Sequence, residues 1–272
     1  MLGKYLENVR QSSPLIHNIT NYVTANDVAN ILLACGGSAV MADAPEEAEE
    51  ITSLCSGLCI NLGTLNKDKL KAMLLAGKKS NELSHPVIMD PVGAGSSLFR
   101  TDSAKKLLSE VKFAAIRGNI SEIKTLSGDK SSTKGVDADL SDMHTSLKTA
   151  ALEAAYLSKE TGAIVIISGQ TDIISDGVRT GLVKNGCPIM SRITGSGCML
   201  TALTAAFAAA NQENKFEAAL SAVSLMGVCG EAAFEKLKTC GGGNSSFRNY
   251  LIDAVFNMDG NTLERRADYE IY

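Results

Sequence analysis

Short apolar runs alternate along this chain with longer stretches in which apolar and polar residues recur at helical spacing. Between residues 36 and 91 the order is GGSAVM, PEEAEEITSLC, LCINLGT, NKDKLKAMLLAGKKSNELS and HPVIMDP. This alternation is typical of repeated βαβ units. The runs 87–89, 114–116 and 163–167 are almost entirely apolar, as strands of a parallel sheet should be. We therefore predict an α/β fold with a mostly parallel central sheet and helices on both faces.

The second half of the chain departs from this pattern. Around Asp176-Gly177 and Asn185-Gly186 the residues alternate in polarity, which predicts hairpins and an antiparallel edge on the sheet. Residues 198–212 and 215–238 are rich in Ala, Leu and Met, and we predict two helices buried in an ordinary core rather than between subunits. The polar segment 128–142 predicts a surface loop. We expect residues 1–272 to form a single domain.

Composition and charge exclude several classes of protein. Of the 272 residues, 45% are hydrophobic and 21% charged, as in soluble globular proteins. A net charge of −4 without a basic run argues against a nucleic-acid partner. The first residues contain no apolar stretch of signal-peptide length, and no run approaches the roughly 18 apolar residues of a membrane span, so we expect a cytoplasmic protein. Seven cysteines lack the paired spacing of a zinc site and indicate a reducing compartment.

A glycine-bearing turn that opens into an apolar helix is the strongest local signal for a binding site. It comprises Gly195, Ser196 and Gly197, followed by Cys198. Glycine lets the backbone approach a ligand, and the unpaired N–H groups of a helix's first turn bind anions. A plain helix start with glycines in its loop would show the same pattern, so the turn alone leaves both interpretations open.

Asn119 and Glu122 follow another apolar run and the residue Arg117, at the predicted start of a helix. In such sheets, ligands collect outside the carboxyl ends of the strands. One of the two side chains could hydrogen-bond there while the other holds a hydrated Mg²⁺ beside phosphate oxygens. The same spacing also describes a helix capping box, and taken by itself the motif favours the cap.

Asp90 ends the run 87–89 and is followed by the flexible turn Pro91-Val92-Gly93-Ala94-Gly95. A carboxylate in this position needs a cation or hydrogen-bond donors, so a Mg²⁺ neighbourhood shared with Glu122 is a reasonable hypothesis. The turn lacks the third glycine of a dinucleotide fingerprint, and the chain has no GxxxxGK[ST] segment. Any ATP must therefore be bound without a Rossmann site or a Walker A loop.

Together these segments resemble the ribokinase-like superfamily of small-molecule kinases in order and spacing. The shared motifs are Asp90-Pro91-Val92-Gly93, the Asn119 and Glu122 pair, Ser168-Gly169 and Gly195-Ser196-Gly197. Within that superfamily, the segments PLIHNITNYVT at 14–24, AVMA at 39–42, NLGTL at 61–65, IRGN at 116–119 and TGSGC at 194–198 resemble the hydroxyethylthiazole kinase family. The resemblance covers nearly the whole chain.

The resemblance implies a ribokinase-like three-layer sandwich and ATP-dependent phosphorylation of the hydroxyl of 5-(2-hydroxyethyl)-4-methylthiazole, in thiamine biosynthesis or salvage. It implies a homotrimer with active sites between subunits, with ATP and the thiazole alcohol as partners and Mg²⁺ as cofactor. The residues that it assigns fall into four groups: Met41, Asn21, Val23 and Gly195 for the thiazole; Arg117, Ser168 and Asn119 for ATP; Asp90 and Glu122 for the metal; and Cys198 with Gly195, Ser196 and Gly197 for catalysis.

Cys198 is the informative departure from the superfamily, most of which places Asp at this position as the base that takes the alcohol proton. A helix N-terminus lowers a thiol pKa, whereas the nearby charge of ATP opposes ionisation. Our hypothesis is that Cys198 is a weak base or only a spacer. Two alternatives stay open. One is a related kinase or dehydratase acting on hydroxymethylpyrimidine or hydrated nicotinamide nucleotides, and the other is a non-catalytic sensor of thiazole or nucleotide.

Overall fold

A nine-stranded sheet organises the part of the chain that the computed structural model describes, residues 2–128 and 143–272. The strands are β1 (Leu15–Ile19), β2 (Ser38–Met41), β3 (Gly57–Asn61), β4 (Val87–Asp90), β5 (Ala115–Gly118), β6 (Ile164–Ile167), β7 (Asp172–Ser175), β8 (Thr180–Val183) and β9 (Tyr269–Ile271). Their order is β2-β1-β3-β4-β5-β6-β7-β8-β9. Pairing is parallel from β2 to β6 and antiparallel from β6 to β9. The predicted mostly parallel sheet with an antiparallel edge is confirmed.

Eleven helices cover the two faces of the sheet in the described residues. They are α1 (Gly3–Ser12), α2 (Ala25–Cys35), α3 (Ala48–Leu54), α4 (Lys67–Glu82), α5 (Leu98–Glu110), α6 (Ile120–Ser127), α7 (Met143–Thr161), α8 (Ser196–Ala210), α9 (Lys215–Cys240), α10 (Asn244–Asn257) and α11 (Gly260–Arg266). The core side chains of α1, α2 and α8 to α11 pack on one face, and those of α3 to α7 on the other.

Side chains of the central strands alternate between the two cores, as period-two geometry requires. On β4, Ile88 packs in the core with α8 and α9, whereas Val87 and Met89 pack in the core with α4 and α5. Ala115 and Ile116 on β5 divide in the same way. Burial on both faces explains why these strands consist of nearly continuous apolar residues.

The two predicted helices of the second half are α8 and α9, and both are largely buried. In length and hydropathy α9 would pass as a membrane span, but 83% of its most apolar window is buried inside the structure. It is therefore the core helix that the sequence predicts. The predicted surface loop at 128–142 lies outside the described residues, apart from Gly128 at its start.

One predicted hairpin is present and the other is wrong. The turn between β7 and β8 contains Asp176, whose Oδ1 accepts from the backbone N–H groups of Val178 and Arg179. After β8, however, the chain runs into a 3₁₀ turn at Pro188–Arg192, and the strand that pairs with β8 is β9 at the end of the chain. Asn185 explains the difference, because its side chain binds this terminal segment instead of forming a turn: Oδ1 accepts from Asp268 N at 2.7 Å.

Candidate active site

The N-terminus of α8 lies where the sequence predicts an anion-binding turn. Gly195 precedes the helix with φ +90°, a conformation that favours glycine. A Cβ on this residue would lie 2.8 Å from Thr24 Cγ2, so side-chain bulk is also excluded by the loop after β1. No side chain caps the helix, which leaves N–H groups of its first turn available to a ligand.

Cys198, in the first turn of α8, is held by two amide side chains from neighbouring strand ends. Asn61 Nδ2 donates to its Sγ at 3.2 Å, and Asn21 Nδ2 donates at 3.4 Å. Burial raises the pKa of Cys198, and the negative charge of Asp90 raises it further, whereas the amide hydrogen bonds partly offset the rise. The surroundings of Cys198 therefore favour the neutral thiol and oppose the lowering of its pKa by the helix N-terminus.

Asp90 ends β4 and is completely buried. Its Oδ2 accepts from Asn61 Nδ2 and from Thr201 Oγ1, each at 2.9 Å, and lies 3.7 Å from Arg117 Nη1. Its Oδ1 has no hydrogen-bond partner in the part of the chain that the structure describes. Burial raises the pKa of Asp90 to about 6, and the charge of Glu122 adds to this rise, while Arg117 and the two hydrogen bonds oppose it. The carboxylate is compensated by protein groups on one oxygen only.

Arg117, on β5, connects Asp90 to the end of β6. Its Nη2 donates to Ser168 Oγ. The guanidinium also lies directly against Gly197, where a Cβ would be 2.2 Å from Nη1. An alanine at position 197 would therefore displace the guanidinium. The close approach that glycine allows brings a positive charge to the free N–H groups of α8. A guanidinium beside free backbone N–H groups is well suited to bind phosphate oxygens.

Asn119 and Glu122 form the capping box of α6. Asn119 Oδ1 accepts from the Glu122 backbone N–H, and Glu122 Oε2 accepts from the Asn119 backbone N–H, both at 2.9 Å. The structural interpretation of this motif is thus confirmed. Glu122 has a second contact, since its Oε1 accepts from Gly93 N at 2.9 Å. It joins α6 to the turn after Asp90, so the cap and a role at the crevice are compatible.

Met41 and Val23 lie beyond the carboxyl ends of β2 and β1, but among the described residues the hydrogen bonds to the thiol come from Asn21 and Asn61 and not from their segments. Met41 ends the edge strand β2, in register with Asn18 of β1, and is 39% exposed. Val23 is in the loop after β1 and is 58% exposed. Both are accessible to a ligand or to another subunit, and their predicted contact with thiazole stays a prediction.

Comparison with known proteins identifies the family. The model of the hydroxyethylthiazole kinase family matches residues 6–261. The hydroxyethylthiazole kinase of Clostridium acetobutylicum is 56% identical over 274 aligned positions, covering both chains completely. That of Clostridium tetani is 48% identical over 96% of this chain and 94% of its own. The chain belongs to the hydroxyethylthiazole kinase family.

Solved structures agree with this membership and with the fold. A hydroxyethylthiazole kinase protein from Pyrococcus horikoshii, 34% identical, superposes with a TM-score of 0.88 over all of this chain and 98% of its own. More distant matches show the fold alone. The pyridoxal kinase of Staphylococcus aureus gives a TM-score of 0.60 at 14% identity, over 95% of this chain and 98% of its own. The predicted ribokinase-like sandwich is confirmed.

Three polar residues of the crevice were not among the site residues predicted from the sequence. Asn61 and Thr201 bind Asp90, and the charge of Asp172, at the start of β7, interacts with Arg117. Burial raises the pKa of Asp172 to about 6. Asn61 had a detectable signal, because it ends the apolar run LCIN in the same way that Asp90 ends VIMD. Thr201 had none, since it lies within an apolar helix.

Proposed function

We propose that this chain transfers the γ-phosphoryl group of ATP to the hydroxyl of 5-(2-hydroxyethyl)-4-methylthiazole, and that it serves thiamine biosynthesis or salvage. Membership of the family supports the reaction. The observation that carries the proposal for this chain is the position of Cys198, between Asn21 and Asn61 and at the uncapped start of α8. Amide and thiol groups there suit a neutral heteroaromatic alcohol, and the helix terminus suits a phosphoryl group.

In the proposed mechanism, positioning and charge stabilisation supply most of the rate. Arg117 and the N–H groups from Gly195 to Cys198 would neutralise the charge that spreads over the transferring phosphoryl oxygens. Ser168 Oγ fixes the guanidinium by accepting a hydrogen bond from Nη2. Removing one such donor typically lowers the rate by roughly 10²–10³-fold. Cys198 acts as a spacer or a weak base for the alcohol proton.

Mg²⁺ is proposed to accompany ATP beside Asp90 and Glu122. The residues fit a cation because Asp90 Oδ1 is buried without a partner, and an orphaned carboxylate oxygen is costly. Each Glu122 oxygen accepts one backbone N–H and keeps further lone pairs. Two carboxylates suffice, since Mg²⁺ is usually held by one or two together with phosphate oxygens. The ion would offset phosphate charge.

We also propose that residues 1–272 act as a single domain in the cytoplasm, and that Asn119 contributes to the ATP side of the crevice.

For the quaternary structure we propose a homotrimer with active sites between subunits. The strand β2 supports it, because β2 is an edge strand of the sheet among the described residues. Tyr22 in the loop after β1 and Leu33 on α2 also expose their apolar side chains. Open strand edges of this kind are usually covered.

The decisive experiment incubates the purified protein with ATP, Mg²⁺ and 5-(2-hydroxyethyl)-4-methylthiazole and follows ADP and thiazole phosphate by mass spectrometry. We expect the two products to appear in step. ADP formed only with hydroxymethylpyrimidine or another alcohol would move the substrate assignment within the superfamily. Thiazole binding without ADP formation would instead support a sensor, and the proposed reaction would be wrong.

A further inference from the structure

Two loops carry three of the four residues predicted to contact thiazole, and one buried lysine joins them. Asn21 and Val23 lie in the loop after β1, and Met41 lies immediately before the loop after β2. Lys69, in the first turn of α4, donates from Nζ to the carbonyl of Thr20 at 2.9 Å. The same Nζ lies 3.1 Å from Asp43 Oδ2. Lys69 therefore binds one residue before Asn21 and two residues after Met41.

The location of Lys69 is electrostatically unfavourable without these partners. It is buried, with 7% of its surface exposed, and a buried ammonium group must be paired. It also lies in the first turn of a helix, where the helix dipole disfavours a positive charge. Asn66 caps this turn by accepting from Lys69 N at 2.8 Å, so the backbone is fixed and the side chain points to the loops. The two loop contacts compensate the charge of its ammonium group there.

His17 also contacts the loop after β2. Its Nε2 lies 2.8 Å from the carbonyl of Ala42, and its Nδ1 lies 2.9 Å from Thr52 Oγ1. Burial lowers the pKa of His17, so the ring is neutral, with its proton on Nε2, because a carbonyl can only accept. The segment 42–43 is thus bound to β1 through His17 and to α4 through Lys69. Only Lys69 also binds the loop after β1.

We propose that Lys69 is a positioning residue of the thiazole pocket, which keeps the loops after β1 and β2 at a fixed separation so that Asn21, Val23 and Met41 face one substrate. The inference rests on the proposed function, and it assigns Lys69 no contact with the substrate. Small displacements of positioning groups can lower rates by about 10²-fold. Loss of Lys69 should therefore weaken use of the thiazole alcohol far more than use of ATP, whose predicted ligands lie on β5 (Arg117) and directly after β5 and β6 (Asn119 and Ser168).

The first test measures amide hydrogen exchange in the ligand-free, full-length protein, and so is independent of activity. Lys69→Met keeps the aliphatic length and removes the charge. We expect faster exchange in segments 20–24 and 42–44, with α8 unchanged. The matched control is Lys78→Met on the same helix, which removes an exposed ion pair with Glu110 and should leave both segments unchanged. Unchanged exchange in Lys69→Met would overturn the inference, whatever the substrate.

The second test compares Michaelis constants in the assembled enzyme. Lys69→Met should raise KM for the thiazole alcohol by about 10–100-fold, while KM for ATP changes by less than about threefold. Asp43→Ala should raise the thiazole KM in the same direction, and Asp43→Asn, which retains an acceptor for Nζ, should restore most of the wild-type value. Equal changes in both constants would overturn the positioning role. If the wild-type protein did not phosphorylate the thiazole alcohol, the proposed function would be wrong. Faster exchange in Lys69→Met would still show that Lys69 holds the loops after β1 and β2 together.

Discussion

At the scale of single residues, Asn61 connects the thiol of Cys198 to the carboxylate of Asp90. Its Nδ2 donates to both, and its Oδ1 accepts from Asn21 Nδ2 at 3.0 Å. Because one amide carries two hydrogens, it can satisfy the two acceptors together. The negative charge of Asp90 then opposes a second negative charge on the thiol. This arrangement favours a neutral Cys198 that contributes shape and hydrogen bonding rather than strong basicity.

Replacing Cys198 by Ala should therefore lower kcat only moderately. We expect kcat to decrease by about 10–10²-fold, which is no more than the low end of the roughly 10²–10⁴-fold that a general base typically contributes. Thiazole binding should be nearly unchanged. Steady-state turnover, combined with equilibrium binding of the thiazole alcohol, measures the two effects separately. A loss of four or more orders of magnitude with intact binding would show that Cys198 is the essential base.

Gly197→Ala should damage phosphate binding without unfolding the protein. The added Cβ would lie 2.2 Å from Arg117 Nη1, and the guanidinium must move away, since it is the flexible part of the contact. We expect kcat/KM for ATP to fall by about 10²-fold or more with little change in melting temperature. Gly243→Ala is the control, because no atom lies within 4 Å of its added Cβ. Equal activity of the two variants would contradict the assigned role of Arg117.

The sequence identified the residues at the ends of the strands better than it identified their roles. Asp90 and Arg117 could be predicted because each belongs to an apolar run that ends at the carboxyl edge of a parallel sheet. The capping contribution of Glu122 could also be read from its spacing to Asn119. The contact of Glu122 with Gly93, and the contact of Thr201 with Asp90, join distant segments, and local pattern contains no information about them.

At the scale of elements, the terminal strand β9 depends on the side chain of Asn185. Asn185 is buried, accepts from Asp268 N, and donates to the carbonyl of Arg266 and to Glu231 Oε1, each at 3.0 Å. The alternating polarity around Asn185-Gly186 predicted a hairpin there, since an Asn-Gly pair is a common turn between two strands. The use of Asn185 as a bridge to a strand more than 80 residues away could not be predicted from that local signal.

Asn185→Ala should consequently destabilise the antiparallel edge. The change leaves backbone groups of the terminal segment without partners, and each such loss costs roughly 1–3 kcal/mol, so we expect the free energy of unfolding to fall by about 2–4 kcal/mol. Urea denaturation gives this value. Asn30→Ala, which removes exposed hydrogen bonds within α2, should change it by less than about 0.5 kcal/mol. Similar urea midpoints for Asn185→Ala and Asn30→Ala would contradict the role of Asn185 as a bridge to the terminal segment.

At the scale of the whole molecule, the half-buried carboxylate of Asp172 makes stability depend on pH. Burial raises the pKa of Asp172 from 3.8 to about 6, so between these values the folded state binds more protons than the unfolded state. Stability from this group is thus present below pH 4 and is lost as the pH rises through 6. Asp172→Asn should flatten the curve of unfolding free energy across this window, by at most about 3 kcal/mol.

Thermal and urea unfolding between pH 4 and 7 would measure this dependence, with Asp259→Asn as control. Asp259 caps α11, and hydrogen bonds from Thr262 lower its pKa. Its contribution therefore changes at lower pH and with the opposite sign, and this variant should leave the window between pH 4 and 6 unaffected. If the curve for Asp172→Asn were as steep as the wild-type curve, the pKa of Asp172 would not be raised in the folded protein.

Assembly is the property of the whole molecule that most directly tests the unpaired edge at β2. The helices before and after β2 in the chain expose apolar side chains: Leu33 on α2 is 58% exposed, and Leu54 at the end of α3 is 74% exposed. If the edge forms the subunit contact, light scattering should give a mass three times the 28.6 kDa of one chain. Leu33→Glu should then reduce the mass to that of a monomer, because a desolvated unpaired charge is costly in an interface.

The control for this change is Val178→Glu, in the β7–β8 turn near the opposite edge of the sheet. Val178 is 90% exposed, so the substitution adds the same charge at an apolar surface position far from β2. We expect it to retain the trimer and full turnover. Leu33→Glu should lose turnover together with assembly, because Asn21, Val23 and Met41 lie beside the same edge and the site is proposed to be completed by a neighbouring subunit. A monomeric Leu33→Glu protein with wild-type turnover would instead show that each chain carries a complete site.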